Sequence, residues 1–164
     1  MNPNGCVAGL IGEIDIYSQR GIPIVDIYPK EKRSEVMSKI RGRETKPEIL
    51  VRKFLFSKGF RYRINDKRYP GKPDIVLPKY HTIIFIHGCF WHGHENCKAA
   101  KLPETNTDFW EKKISDNITR DRKNIEKLGN ADWNVIVIWL CEIKKKIDRG
   151  ERLERLIGEI TNEK

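Results

Sequence analysis

From His87 to Cys97 the chain reads His-Gly-Cys-Phe-Trp-His-Gly-His-Glu-Asn-Cys, gathering three of its four histidines and two of its four cysteines around an adjacent Phe-Trp pair. Thiolate and imidazole suit zinc, and four such ligands leave no open position, so a site of this kind is structural. Cys89, His94 and Cys97 offer three ligands, and Cys141, directly after an apolar run, is the candidate for the fourth. That set does not need His87 or His92. A neutral imidazole can take a proton from water and a protonated one can stabilise a phosphate, so these two are candidate proton carriers. A second cluster, Pro-Gly-Lys-Pro-Asp, lies at 70–74. Asp74, with Glu48 from the preceding helix, offers the oxygen ligands that Mg2+ requires. Bound there, the ion would polarise a phosphate and stabilise developing charge. The apolar run 82–86 ends beside Asp74 and delivers His87 to the same edge.

Phe90 and Trp91 are adjacent in a polar loop and need not follow a core period. Flat side chains on a basic surface can wedge between base steps and unstack them. Trp110 is a candidate third ring, although its spacing to Ile114 and Ile118 also fits ordinary core packing. Lys113 and Arg120 stand among several basic residues of the same segment and are candidate phosphate contacts.

The elements that must position these groups follow from pattern. Thr45-Lys-Pro-Glu48 reads as a capping box with proline tolerated in the first turn. The helix it opens buries Leu50, Val51, Phe54 and Leu55 and stops at Gly59. Phe60–Ile64, Asp74–Leu77 and Thr82–Ile86 read as strands, the last apolar on both faces as in a central strand. A long helix spans about Thr107–Leu128, with Trp110, Ile114, Ile118, Asp121, Ile125 and Leu128 at helical spacing. Val135–Leu140 is another buried strand, ending at Cys141, and Arg152–Ile160 a last helix. Alternating strands and helices predict an α/β fold with a mixed sheet. Lys32–Ile40 reads as a short polar helix with Met37 its notable apolar residue.

The length, 164 residues, suits one domain. The net charge is +9, and residues 1–30 hold only two basic side chains against three acidic ones. The basic surplus therefore lies in 31–164, and residues 1–30 read as an extension. Such a surplus favours a polyanion, because each Lys or Arg on a phosphate releases counterions. No apolar run approaches eighteen residues, so no membrane span is expected. Glu13 and Asp15 interrupt the N-terminus, so a secretory signal is not expected. The cysteine contexts point to a reducing cytoplasm, with Cys6 a free thiol.

The ordered set Arg-Ser-Glu-Val-Met-Ser-Lys-Ile, Thr-Lys-Pro-Glu, Gly-Phe-Arg-Tyr-Arg, Pro-Gly-Lys-Pro-Asp, His-Gly-Cys-Phe-Trp-His, Phe-Trp-Glu-Lys-Lys and Ile-Trp-Leu-Cys-Glu resembles the very short patch repair (Vsr) endonucleases of bacteria. The resemblance covers roughly two-thirds of the chain, from about Lys32 to Glu142. It implies a restriction-endonuclease-like α/β fold, a mixed sheet flanked by helices, with a structural zinc. It implies Mg2+-dependent nicking of one strand on the 5′ side of the thymine in a T·G mismatch, the product of 5-methylcytosine deamination. By that resemblance Asp74 matches the magnesium-binding aspartate, Glu48 the acidic helper near the metal waters, His92 the histidine that activates water, and His87 the one beside the scissile phosphate. Cys89, His94, Cys97 and Cys141 match the zinc ligands. Phe90, Trp91 and Trp110 match the aromatic wedge, and Met37 a residue entering from the minor-groove side. Ile86 stands where the best-known member has Thr; the metal contact there is a backbone carbonyl, so the change is expected to be tolerated. The spacing between zinc ligands is one residue longer than in the family, which leaves the division of labour between His92 and His94 open.

The family reading implies a monomer in the bacterial cytoplasm, with mismatched duplex DNA, mismatch-repair proteins and a repair DNA polymerase as partners. Two other readings use the same residues. A restriction-type nuclease would cut both strands of perfect duplex, and a non-catalytic zinc module would bind DNA without cutting it.

Overall fold

The structure is a computed structural model describing residues 44–161. The expectations for residues 1–30, the Lys32–Ile40 helix, Met37 and Cys6 lie outside the described residues. Four strands form one sheet: β1 (Arg63–Ile64), β2 (Ile75–Leu77), β3 (Thr82–His87) and β4 (Asn134–Trp139), in that spatial order. β1 pairs antiparallel with β2, and β2 with β3, while β3 and β4 are parallel from Thr82↔Asn134 to His87↔Trp139. A parallel pair needs a long crossover. Helix α2 (Thr107–Gly129) lies within that crossover. Helix α1 (Lys46–Ser57) precedes the sheet, and α3 (Leu140–Lys144) and α4 (Lys146–Thr161) follow it. The fold is mixed α/β, a four-stranded mixed sheet flanked by helices, as the alternation of patterns predicts.

The two-residue period of the strands divides the core. Ile75, Leu77, Ile84, Ile136 and Ile138 pack with Val51 and Leu55 of α1 and Leu153, Leu156 and Ile160 of α4. Val76, Ile83 and Phe85 point the other way and pack with Leu128 of α2. By the same period His87 belongs to the α2 face. β3 is buried on both sides because helices cover both faces and both edges are paired, which explains its unbroken apolar run.

Three boundaries differ from the pattern reading. The expected strand Phe60–Ile64 contracts to two residues, because β2 offers it only two pairing positions and Phe60 turns inward against Tyr80. Cys141 sits in the short helix α3, one residue past its start, instead of at a strand end. The last helix begins at Lys146 instead of Arg152; its first turns are polar and Ile147 there is exposed, so no apolar period marked them.

Candidate active site and metal centre

The chemistry gathers where β2 begins and where β3 and β4 end. Because β2 runs against β3, Asp74 lies beside the last turn of β3, and its Oδ2 accepts the Ile86 N–H at 2.7 Å. Burial, reinforced by the neighbouring Glu48 carboxylate, pushes the Asp74 carboxyl up to about 6, although the Ile86 N–H, Arg52 and His92 favour its charged form. A partly buried carboxylate is a hard-oxygen donor, so the chemistry of Asp74 suits a divalent ion such as Mg2+.

Glu48 is buried on α1. Its Oε1 accepts from the Thr45 hydroxyl at 2.8 Å and its Oε2 from the Glu44 N–H at 3.1 Å. Neither half of the expected capping box forms: Thr45 makes no side-chain cap bond, and the Glu48 carboxylate takes the Thr45 hydroxyl and the N–H of Glu44, one residue before the cap, instead of the Thr45 N–H. Pattern reading missed Arg52, one helical turn on. Its Nη2 donates to Glu48 Oε2 at 2.9 Å and to the Asp74 carbonyl at 3.4 Å, and the residue is only 7% exposed.

His87 and His92 stack face to face, with ring centroids 3.9 Å apart and planes 9° from parallel. Burial, with His92 alongside, holds His87 down at about 4, so it is neutral near pH 7. His92 Nδ1 meets Asp121 Oδ2 at 2.5 Å, and Asp121 Oδ1 takes a longer bond from Arg120 at 3.3 Å. Donors of His87, His92 and Asp121 lie within 4.8 Å of one another. Stacked rings keep their in-plane lone pairs in separate, nearly parallel planes, however, so one ion does not lie in the plane of both imidazoles as they stand. The arrangement is an imidazole oriented by a carboxylate, which frees Nε2 for proton transfer. Asp121 was readable only as a member of the apolar stripe of α2. A charged residue at a core-spaced position was the available signal.

Gly93 makes this contact possible. Its φ is +59°, and a Cβ there would fall 2.5 Å from Ile118 Cδ1. Only glycine lets the loop lie flat on α2 in that conformation.

Cys89, His94, Cys97 and Cys141 bring one ligand atom each within 4.8 Å of the others. Zinc bonds of about 2.0–2.3 Å place tetrahedral ligand atoms roughly 3.3–3.8 Å apart, so small movements close the set. Cys141 Sγ already lies 3.3 Å from His94 Nδ1. The parallel register explains the meeting: β3 and β4 end level, so the loop after one reaches the helix after the other. Trp139 stacks flat on His94 at 4.1 Å. Glu142 accepts the Trp139 N–H at 2.7 Å and a 3.1 Å bond from buried Arg152, tying α3 to α4. Burial and the neighbouring thiols push Cys141 up to about 12, and burial raises Cys89 too. A bound cation would ionise them.

Phe90, Trp91 and Trp110 touch one another edge to face, at 5.1, 5.3 and 5.9 Å. Asn117 of α2 donates to the Trp91 carbonyl at 3.0 Å and pins the loop. Trp91 is 39% exposed. Phe109, which pattern reading passed over, adds a fourth ring against Trp110. Lys113 and Arg120 are exposed on α2. Arg120 also lines a shallow groove of about 370 Å³ with Asp116, Thr119, Lys123, Asn124 and Lys127. The structure therefore brings Asp74, Glu48, Ile86, His87 and His92 to one sheet edge and the four Cys/His donors to a second cluster.

Residues 25–98 match the family model for DNA mismatch endonuclease Vsr. The DNA mismatch endonuclease Vsr of Escherichia coli is 39% identical over 139 residues, 82% of this chain and 88% of that one. The chain belongs to the Vsr family. It is also similar to type II nicking enzyme V.NmeAIP of Neisseria meningitidis, 58% identical over 84% of this chain and 97% of that enzyme. Type II nicking enzyme V.XorIIP of Xanthomonas oryzae is 41% identical over 73% of this chain and 88% of the relative. As a Vsr-family protein, the chain is a DNA mismatch endonuclease and its partner is DNA. No helix among the described residues is long and apolar enough to cross a membrane.

Proposed function

We propose that this protein is a Mg2+-dependent endonuclease that nicks one DNA strand on the 5′ side of the thymine in a T·G mismatch arising from 5-methylcytosine. The observation that carries the reading is the meeting of Asp74, His87 and the His92–Asp121 pair at one end of the sheet, with the Phe90 and Trp91 rings of the adjoining loop against Trp110 of α2. Residues 31–164 form the restriction-endonuclease-like catalytic domain, and 1–30 an extension. Cys89, His94, Cys97 and Cys141 hold a structural zinc. The enzyme works as a monomer in the bacterial cytoplasm, handing its nick to mismatch-repair proteins and a repair polymerase.

Mg2+, when bound, supplies Lewis-acid polarisation of the scissile phosphate and charge neutralisation. Asp74 and the Ile86 carbonyl would hold the ion, and Glu48 would orient water at that site. His92 takes the proton of the attacking water on Nε2, because Nδ1 is committed to Asp121. Asp121 keeps the ring in that tautomer and stabilises the imidazolium that forms. Neutral His87 lies against it, beside the phosphate. Phe90, Trp91 and Trp110, with Met37 from the opposite groove, pry the pair apart. Lys113 and Arg120 hold phosphates and set register. A T·G wobble stacks less well than a Watson–Crick pair, and a difference on the order of a few kcal/mol gives selectivity.

Relatives whose names specify nicking favour one cut strand over two. The decisive experiment uses duplexes labelled on either strand, carrying T·G, T·A or C·G at one position in varied contexts, with and without Mg2+. A Mg2+-dependent cut in the T strand of T·G alone, lost in Asp74→Ala, is the expected result. Cleavage of both strands of perfect duplex would establish the restriction reading instead. Binding without a cut in any context would leave a zinc module.

A further inference from the structure

Arg52 is a buried cation with no part in the chemistry described above. One of its nitrogens, Nη2, bridges the Glu48 carboxylate at 2.9 Å and the Asp74 carbonyl at 3.4 Å. It thereby joins the acidic residue of α1 to the first residue ahead of β2, the two elements that carry the proposed ion ligands. The Glu48–Arg52 pair is almost wholly out of water, with side chains 8% and 9% exposed. Charges in such a place are weakly screened and felt by their neighbours. An exposed ion pair one helical turn apart would matter little. This one stands where two carboxylates would otherwise face a divalent ion together.

We propose that Arg52 is a positioning residue that cancels one negative charge at the ion site and fixes the Glu48 carboxylate against Asp74. The proposal rests on the assignment of Asp74 and Glu48 to the divalent ion. With Asp74 and Glu48 ionised and Arg52 cationic, the group carries a single net negative charge. Removing Arg52 leaves two, which binds an ion more tightly but takes away one of the three groups that hold the Glu48 carboxylate, leaving Thr45 and Glu44. Removing Glu48 leaves none. Removing both restores one, and takes out the buried pair together so that neither partner is left uncompensated.

The test is Mn2+ binding to the zinc-loaded, DNA-free protein, with free Mn2+ counted by electron paramagnetic resonance. Mn2+ shares the oxygen-ligand preference of Mg2+. The expected order of affinity is Arg52→Met tightest, then the native protein together with the Glu48→Gln/Arg52→Met double variant, then Glu48→Gln, each step about fivefold or more. Arg52→Lys keeps the charge and is expected to bind Mn2+ like the native protein. With Mg2+ saturating, Arg52→Met is expected to lower kcat about tenfold while leaving KM for mismatched duplex within about twofold. Native-like Mn2+ affinity in a folded Arg52→Met variant overturns the proposal. Should that variant fail to fold, equal affinities in Glu48→Gln and the double variant overturn it as well. Asp74→Asn is the control for the underlying site. If it leaves Mn2+ affinity unchanged, the ion does not bind at this edge, and both the site assignment and the role of Arg52 fall.

Discussion

The cysteine cluster and the carboxylate–histidine site both draw residues from the segment that ends β3 and follows it, yet different physics holds each together. Cys89, His94 and Cys97 alternate along the loop with His87 and His92. The first set comes together with Cys141 at the level ends of two parallel strands. Its own side chains make few hydrogen bonds to the rest of the fold, so a metal would be the clamp. The second set is already clamped by protein: Asp74 by a backbone N–H, Glu48 by Thr45, Glu44 and Arg52, and His92 by Asp121. A metal there would find its ligands oriented in advance. Soft donors that need an ion to assemble make a fastener; hard donors held in place at a desolvation cost make a reaction site. The two should respond oppositely to substitution.

The largest effect is expected at Asp74. Asp74→Asn should slow single-turnover nicking about 1,000-fold or more, since it removes the proposed anchor of the ion. Stability should move the other way. The Asp74 carboxyl is raised to about 6, so between its unfolded value and that pH the native state holds the extra proton. Stability is then fullest at acid pH and is lost as pH rises through the folded value. Without added divalent ion, the Asn variant should therefore be more stable at neutral pH by about 1–3 kcal/mol, the gain fading toward pH 4. Glu48, Arg52 and His92 face the same carboxyl and temper the shift. Urea melts at several pH values measure this, and a destabilised variant would deny that Asp74 is strained for function.

Cys141→Ser is the counterpart. It should release the proposed zinc and lower the melting temperature by roughly 10 °C or more, activity falling because the loop loosens. Full metal content would take Cys141 out of the ligand set and erase the contrast. Asp121→Asn comes next: the ring loses its orienting carboxylate, and kcat should fall about 10–100-fold with KM for duplex unchanged. An equal rise in KM would mean that Asp121 shapes the DNA surface instead. The smallest effect is expected from Trp91→Ala, which should reduce preference for T·G over T·A about tenfold while leaving the salt dependence of binding intact. Unchanged preference would remove Trp91 from the wedge.

The cysteine cluster was legible because its composition is rare: Cys and His seldom crowd into one loop without a shared role. Asp74 was legible through its place before an apolar strand, and Glu48 through its turn-spaced partnership with Thr45. Arg52 and Asp121 were not legible as parts of a site. Arg52 is an ordinary helical arginine until its burial is known, and Asp121 sits 29 residues from the histidine it orients. Phe60 and the start of α4 went astray because pattern sees apolar period, not pairing partners or polar helix turns.

By itself the sequence determined the class of fold, the strands that run through its centre, the donor chemistry of each cluster and, through ordered motifs, the family. Those depend on residue type and local period. Tertiary structure decided the grouping: His94 goes to the thiols and His92 to Asp121, although only one residue separates them. The reason is register. Parallel pairing of β3 with β4 levels their ends and brings Cys141 to the loop, while a glycine with no Cβ lets the same loop settle on α2. Neither distance is written in the spacing of residues along the chain.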